Sequence, residues 1–319
     1  MFEKAKWALG TLAKMRRLII NADDFGLAPG VNRAIVELEK AGALTSTTLM
    51  ATAPYFSPAV HMAFEQPRLA VGCHITLVDG SPCLSSDEIP TLLDPQSNYQ
   101  GISKSGTRPG LSNPAFRASA GAFLADVMRG RVREQEIEAE AIAQIQRIQS
   151  SGLTVSHIDS HKHLHAFPRV LAPLLRAARF CQVRCVRNPF EPSWSLRATH
   201  PASRLRRMQV HAMRTQQRSF SKLVAEQGMI TADGSIGLLA TGILNSSVLH
   251  SMLKAMPNGA WELVCHPGYR DQVLDQVRTR LRAERETERS ALLGVIPEAV
   301  RNDSDLTLTD YHHLSSPWG

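Results

Sequence analysis

Residues 17–26 read RLIINADDFG, an aliphatic run that ends abruptly in two adjacent aspartates, Asp23 and Asp24. A short run that is apolar throughout is typical of a strand buried on both faces of a parallel sheet. Runs of the same character recur at 69–77 (LAVGCHITL), 154–159 (TVSHID), 182–187 (QVRCVR) and 261–266 (WELVCH). Helical patterns lie between them, over residues 31–41 and 123–148. This alternation predicts an α/β fold, either a (β/α) barrel or a doubly wound sheet.

Side chains that bind metals or transfer protons lie in or directly after several of these strands. The two aspartates follow the first strand, His74 lies in the second, and His266 closes the last. The TVSHID strand is followed by three histidines in five residues, His161, His163 and His165. The active site of a barrel is assembled from strand ends in this way, at the carboxyl face. The sequence therefore predicts one site drawn from several strands of a single domain.

Two of these signals are ambiguous when each is taken alone. Crowded carboxylates repel each other, and a bound cation relieves that repulsion while leaving the two groups different roles. A lone Asp-Asp pair before Phe25 and Gly26 is, however, more often a turn or a helix cap. An isolated histidine in an apolar strand, such as His74, is more often a core residue than a metal ligand.

The later histidines carry more information, because three imidazoles in five residues are costly to bury without a function. In extended backbone they share one face, and in a helix His161 and His165 pair at a spacing that also binds zinc. Asp159 and His157 are placed to hold a ligating imidazole in the correct tautomer. The alternative is a surface histidine cluster. His266 lies at a strand end, and histidine is the residue type most often used as a general acid, which makes it a candidate for that role.

The composition indicates a globular protein. The chain has 319 residues, 43% of them hydrophobic, and no apolar run approaches the roughly eighteen residues needed to cross a bilayer. Its five cysteines form no C-x-x-C pair, which predicts free thiols and a cytoplasmic location. The motifs G-x-S-x-G, G-x-G-x-x-G, H-E-x-x-H and Walker A are absent, which argues against serine hydrolases and nucleotide-binding enzymes.

Four segments depart from the alternation of strand and helix, in a chain whose net charge is +7. Residues 204–218 are rich in arginine without acidic partners, which indicates a flexible basic loop or, alternatively, a surface for anionic lipid or phosphate. Residues 278–289 interleave arginine with glutamate, which predicts a solvated helix and no nucleic-acid partner. Residues 81–121 predict a long loop over the site. Residues 1–14 are an N-terminal extension or a weak interfacial membrane helix.

Five motifs in fixed order resemble those of the YdjC-like deacetylase family, which includes chitooligosaccharide deacetylases. They are NADDFG (21–26), TSTTLMA (45–51), VGCHITL (71–77), HIDSHKHLHAFP (157–168) and ELVCHPGY (262–269). The resemblance covers a single domain over residues 16–319, preceded by the extension 1–15. Within the family, LVDGSPCLSSDEIPTLLD (77–94) is similar to the hopanoid-biosynthesis-associated branch, which is linked to deacetylation of an N-acetylglucosaminyl hopanoid.

This resemblance implies a distorted (β/α) barrel with one divalent metal ion, zinc or magnesium, the ligands also being compatible with manganese or cobalt. By position in the motifs, Asp24, His74 and His161 would bind the metal. Asp23 would be the catalytic base and His266 the acid. The residues expected to support these groups or to contact the substrate are Asp159, His163, His165 and Arg187.

The implied substrate is an N-acetylated amino sugar, lipid-linked in the hopanoid branch, from which acetate is released. Peripheral contact with the inner face of the membrane and a homodimer are further expectations. Two alternatives share the same barrel. One is a metal-dependent hydrolase of a phosphoester or a glycoside, and the other is a sugar- or lipid-binding protein without turnover.

Overall fold

The structure, a computed structural model, describes residues 15–95 and 115–314. Seven parallel strands in these residues form one curled sheet with helices around it. The strands are β1 (Arg16–Phe25), β2 (Ser46–Leu49), β3 (Ala70–Ile75), β4 (Val155–Ser160), β5 (Gly234–Ile236), β6 (Gly259–Cys265) and β7 (Leu306–Thr309). The helices are α1 (Pro29–Lys40), α2 (Phe56–Phe64), α3 (Ala120–Met128), α4 (Glu134–Ser150), α5 (Pro168–Phe180), α6 (Ser193–Ala198), α7 (Arg204–Arg214), α8 (Gln217–Glu226), α9 (Ser246–Ala255), α10 (Gln272–Gln276) and α11 (Ala283–Asn302).

The strand order is β4-β3-β2-β1-β6-β5, and β7 pairs with the first half of β1. Between β4 and β5 the ladder is reduced to two isolated parallel bridges, one joining Ile158 to Val186 and the other joining Cys185 to Ile230. The predicted strand at 182–187 is therefore only a bridging segment. The sheet forms a curled half-barrel, which confirms the predicted distorted barrel of the α/β class.

The central strand β1 is long because apolar side chains cover both of its faces. Leu18, Ile19 and Ile20 are all fully buried, as a continuous aliphatic run in a parallel sheet predicts. A proline opens α1 and another opens α5, where its missing N–H leaves no helical hydrogen bond unmade. Parallel strands with helical connections bring all the carboxyl ends to one edge of the sheet.

Three of the expectations about helices are corrected. The single helix predicted over 123–148 is two helices, α3 and α4, separated by a turn in which Gly130 has φ 71°. The basic segment 204–218 is not a flexible loop, because α7 and the start of α8 occupy it. In 278–289 the helix begins only at Ala283, and two of its charged side chains, Arg285 and Glu288, are buried rather than solvated.

The described parts of the 81–121 loop are tied to α4. The Glu140 carboxylate accepts hydrogen bonds from the backbone N–H groups of Cys83 and Leu84, and Leu93 pairs with Phe116 in an antiparallel bridge. Residues 96–114 of this loop, and the predicted N-terminal helix within 1–14, lie outside the described residues. That the loop covers the site stays a prediction.

All five cysteines are free thiols, as the sequence predicts. In the described part of the chain, no helix has the length and apolar character needed to span a bilayer.

Candidate active site

A bulge at the end of β1 brings both aspartates beside His74. Three steps along β1, from Ala22 to Phe25, face only two steps along β2, so one residue is extra. Asp24 takes up the irregularity with φ 69°, a left-handed conformation that Asp tolerates better than most residues. The carboxylates of Asp23 and Asp24 consequently both lie near His74, where a regular strand would have sent the two side chains to opposite faces.

Three donor atoms from three strand ends converge beside this bulge. Asp24 Oδ1 lies 3.7 Å from His74 Nε2 in β3 and 3.7 Å from His161 Nδ1, which follows β4. The two imidazole nitrogens lie 3.3 Å apart. Tetrahedral bonds of about 2.1 Å place ligand atoms roughly 3.4 Å from one another. The three residues thus fit one divalent metal ion in donor type and in spacing.

The carboxylate of Asp159 fixes the orientation of the His74 ring. Its Nδ1 lies 2.8 Å from Asp159 Oδ1, which leaves Nε2 directed at the other donors. A carboxylate behind a ligating histidine commonly sets its tautomer. Burial lowers the pKa of His74, but Asp159, Asp23 and Asp24 outweigh it and raise the pKa to about 9. The carboxylates therefore create a field that stabilises a positive charge at this position.

The surroundings of His161 shift its pKa in the opposite direction from that of His74. Burial lowers its pKa to about 4, although Asp24 acts in the other direction. The imidazole is therefore neutral at pH 7 and can bind a metal ion directly, whereas His74 would release a proton on binding.

The segment after β4 is neither extended nor a regular helix, so both expected arrangements of the three histidines are wrong. Lys162 and His163 are both left-handed, with φ 58° and 53°, and they turn the chain sharply after His161. His165 is buried, and its ring and backbone N–H both bond Ser160 Oγ, at 2.8 and 2.9 Å. His165 therefore braces the turn, while His161 alone of the three reaches Asp24.

Neither His163 nor His157 forms a hydrogen bond to a proposed metal ligand among the described residues, and the role predicted for His163 stays a prediction. Burial, followed by the charge of Arg187, lowers the pKa of His163 to about 3. Its Nδ1 is buried and makes no hydrogen bond to any described residue. His157 does not contact a proposed ligand; its ring stacks on Tyr311 at 3.6 Å between centroids.

Asp23 is bound by a fully buried arginine. Arg187 donates to Asp23 Oδ1 at 2.7 Å and to Oδ2 at 3.0 Å. The same guanidinium pairs with Asp159 and donates to Glu262 at 2.8 Å. Burial raises the pKa of Asp23, but Arg187 and His74 hold it well below its usual range. Asp23 is therefore a carboxylate at neutral pH.

His266 lies on the other side of Asp23. Its Nε2 is 3.8 Å from Asp23 Oδ2, and its backbone N–H donates to the buried Glu288 at 2.6 Å. Within the described ranges, its Nδ1 is buried and has no hydrogen-bond partner. The ring sits where β6 ends, as its position before a proline predicted.

Three buried residues complete the site and were not anticipated. Arg285 of α11 donates to Asp24 Oδ2 at 2.5 Å. Thr48 of β2 lies 3.2 Å from both Asp23 Oδ1 and His74 Nδ1. Glu262 was detectable, because a carboxylate inside the apolar strand WELVC needs a cationic partner to be buried. Nothing in the local pattern around Arg285 distinguishes it from a solvated helical arginine.

The charge inventory supports the fit to a cation. Four carboxylates meet here with the two guanidinium groups of Arg187 and Arg285, and three of these carboxylates, against the effect of burial, raise the pKa of His74 to about 9. The carboxylates belong to Asp23, Asp24, Asp159 and Glu262. A buried excess of negative charge is costly unless a cation offsets it.

The comparison that decides the family is a match of the YdjC-like protein profile to residues 17–298, which include every site residue described above. The chain belongs to the YdjC-like family. A relative from Thermoanaerobacter pseudethanolicus, named carbohydrate deacetylase, is 28% identical over 300 residues, covering 94% of this chain and all of the relative. Another of that name, from Halalkalibacterium halodurans, is 30% identical over 262 residues, covering 82% of this chain and 88% of the relative.

A solved structure extends the similarity of this YdjC-like chain to the fold. A protein from Enterococcus faecalis V583, named for cellobiose-phosphate cleavage, superimposes with a TM-score of 0.69 at 25% identity. The match covers 95% of this chain and 100% of that one.

Proposed function

We propose that this YdjC-like protein is a metal-dependent carbohydrate deacetylase that removes the acetyl group from an N-acetylglucosamine-containing substrate and releases acetate. The observation that carries the proposal is the set of three donors on Asp24, His74 and His161, beside the ionised carboxylate of Asp23. The name of two relatives, carbohydrate deacetylase, supports the reaction, and the N-acetylated sugar is the substrate proposed here.

A divalent ion held by Asp24, His74 and His161 would supply Lewis acidity to the acetamide oxygen and to the attacking water. Zinc is the first choice, since two imidazoles and one carboxylate bind it more tightly than magnesium or manganese. Asp23 then takes the proton of that water. The atom we assign is Oδ2, because it accepts a hydrogen bond from Arg187, whereas Oδ1 accepts from Arg187, Asn21 and Thr48.

His266 completes the proton balance. Its Nε2 lies on the Oδ2 side of Asp23, so the base and the acid border the same space. We assign His266 as the donor of a proton to the departing sugar amine. Water is thereby added across the C–N bond, and the products are acetate and a free amino sugar.

The first test is acetate release by zinc-reconstituted protein from N-acetylglucosamine oligosaccharides and from an N-acetylglucosaminyl hopanoid. We expect release that stops with a chelator and in His74→Ala, returns when zinc is restored to the wild type, and accompanies about one zinc per chain. Glu226→Gln is the control, because that carboxylate is 51% exposed on α8, pairs with Lys222 and should not affect release. No release with zinc bound would instead favour another hydrolysed bond or a binding role.

Hydrolysis of a phosphoester or glycoside is the second candidate, favoured by the name of the solved Enterococcus relative. Phosphoesterases often use two metals. A second possible cluster, on Asp23, His74 and Asp159, is present among the described residues, but Arg187 binds both of its carboxylates. A single-metal site therefore favours the deacetylase.

The proposal that the sugar is carried on a lipid draws on the outer face of α7. Leu205 and Met208 of this helix are 65% and 68% exposed, with Arg204 beside them. On the inner face, Arg206 donates to the carbonyl oxygen of Leu238, just after β5, so α7 lies near the carboxyl edge of the sheet that bears the site. An apolar face with a cationic border suits an anionic bilayer.

We expect Leu205→Ser combined with Met208→Ser to weaken binding to anionic vesicles roughly tenfold, because two partly inserted apolar side chains are lost. Vesicle co-sedimentation of the full chain, the double variant and a chain starting at Met15 would measure this. Equal binding by the first and last would remove residues 1–14 from the membrane contact. Equal binding by the double variant would exclude α7.

A further inference from the structure

The two oxygens of Asp24 have different partners. Oδ1 faces His74 Nε2 and His161 Nδ1, each at 3.7 Å, whereas Oδ2 accepts a 2.5 Å hydrogen bond from Arg285 Nη2. A carboxylate that is free on both sides can bind a metal through one oxygen or through two. Here a guanidinium occupies the second oxygen, so Asp24 can offer only Oδ1 to a metal.

The position of Arg285 is fixed by its neighbours. The side chain is 1% exposed, and Nε donates to the carbonyl oxygen of Leu281. The backbone oxygen of Arg285 accepts from Gly268 N–H at 3.2 Å, and a Cβ on Gly268 would lie only 3.1 Å from Arg285 Cδ. Gly268 belongs to the CHPGY motif, so that motif and α11 together fix the guanidinium against Asp24.

A permanent cation at this place is unfavourable for metal affinity. A guanidinium beside a ligand carboxylate repels a divalent ion and withdraws negative charge from the donor oxygen. Burying it is also costly, and its Nη1 lacks a hydrogen-bond partner among residues 15–95 and 115–314. If the only role of Arg285 were to help the site retain its metal, a guanidinium beside Asp24 would be a poor choice.

We infer that Arg285 is a positioning residue that keeps Asp24 a single-oxygen ligand, and that it does so at the expense of metal affinity. With Asp24 restricted to one oxygen and two imidazoles as the other protein ligands, coordination positions stay open for water and for the substrate oxygen. The inference rests on the metal site of the proposed function but adds a residue and a role to it.

The test compares Arg285→Gln, Arg285→Lys and the control Arg289→Gln. Arg289 lies one turn further along α11 and bonds Glu37 instead of a site residue. Calorimetric titration with Zn²⁺ should give a Kd about tenfold lower for Arg285→Gln than for the wild type, because a repelling charge is removed. Arg285→Lys, which keeps the charge, and Arg289→Gln should both stay within about twofold of the wild type.

The visible absorption of bound Co²⁺ reports the coordination number of the metal site. Co²⁺ bound to Arg285→Gln should absorb more weakly in the visible region than the wild-type complex, because a second oxygen of Asp24 raises the coordination number. A purely structural arginine predicts the opposite result: weaker zinc binding, a lower Tm and an unchanged cobalt spectrum per bound ion. That result, or an unchanged Kd in Arg285→Gln, overturns the inference.

The same measurements distinguish failure of the role of Arg285 from failure of the proposed deacetylase reaction. Tighter zinc binding by Arg285→Gln together with no acetate release by the wild type would keep the role of Arg285 and reject the deacetylase. Acetate release with an unchanged Kd in the variant would keep the deacetylase and reject the role of Arg285. A wild type that binds no divalent metal would reject both.

Discussion

Replacing Asp23 by asparagine should lower kcat for acetate release about 10³-fold while zinc still binds at about one ion per chain. Loss of a general base costs on the order of 10²–10⁴ in rate, and an amide cannot take the proton of the attacking water. Asparagine keeps the shape of the side chain, and Arg187 retains the two carboxylates of Asp159 and Glu262. The ligand Asp24 has its own partner in Arg285, so the metal position is not disturbed.

Single-turnover acetate release and zinc titration on the same preparation would measure both halves of this prediction. Asp79→Asn is the matched control, since Asp79 pairs with Lys162, directly after His161, and carries the same charge without contacting Asp23. We expect that variant to keep activity within about threefold. If Asp23→Asn instead loses its zinc, the roles of the two aspartates have been assigned the wrong way round.

The position of the site could be predicted from the sequence because it depends on a simple rule. In a parallel sheet the carboxyl ends of the strands meet at one edge, so the groups after β1, β4 and β6 and the histidine of β3 had to be neighbours. Asp23, Asp24, His74, His161 and His266 do lie together. The α/β class followed from the same runs, because an uninterrupted aliphatic strand must be covered on both faces and helical patterns lie between the runs.

What could not be predicted depends on backbone detail and on long-range contacts. The bulge in β1 and the two left-handed residues after His161 decide which side chains reach the site, and neither leaves a glycine as a marker. Arg285 pairs with Asp24 across 261 positions of sequence. In the sequence it stands among glutamates, where helical periodicity indicates solvent exposure, and only the tertiary fold buries it.

The second large effect concerns stability and involves Arg187. Replacing it by methionine should lower the free energy of unfolding by about 3–5 kcal/mol, the usual cost of removing one member of a buried ion cluster. Methionine fills much of the space but leaves Asp23, Asp159 and Glu262 without their shared cation. Urea denaturation of the metal-free proteins at pH 7 measures the difference without a contribution from zinc.

The same cluster determines how that defect varies with pH and how it is rescued. Burial raises the pKa of Glu262 and Arg187 lowers it, so without Arg187 the folded-state pKa of Glu262 should lie further above its unfolded value. Carboxyl groups of that kind destabilise the fold increasingly as pH rises, so the defect should be larger at pH 8 than at pH 5.

Adding Glu262→Gln to Arg187→Met should recover part of the lost stability. The control is Arg176→Met, which breaks an ion pair whose arginine is 40% exposed and should cost under about 1 kcal/mol. An Arg187→Met defect that is no larger than that of Arg176→Met, or that shrinks at high pH, would mean that the three carboxylates are not balanced by this guanidinium.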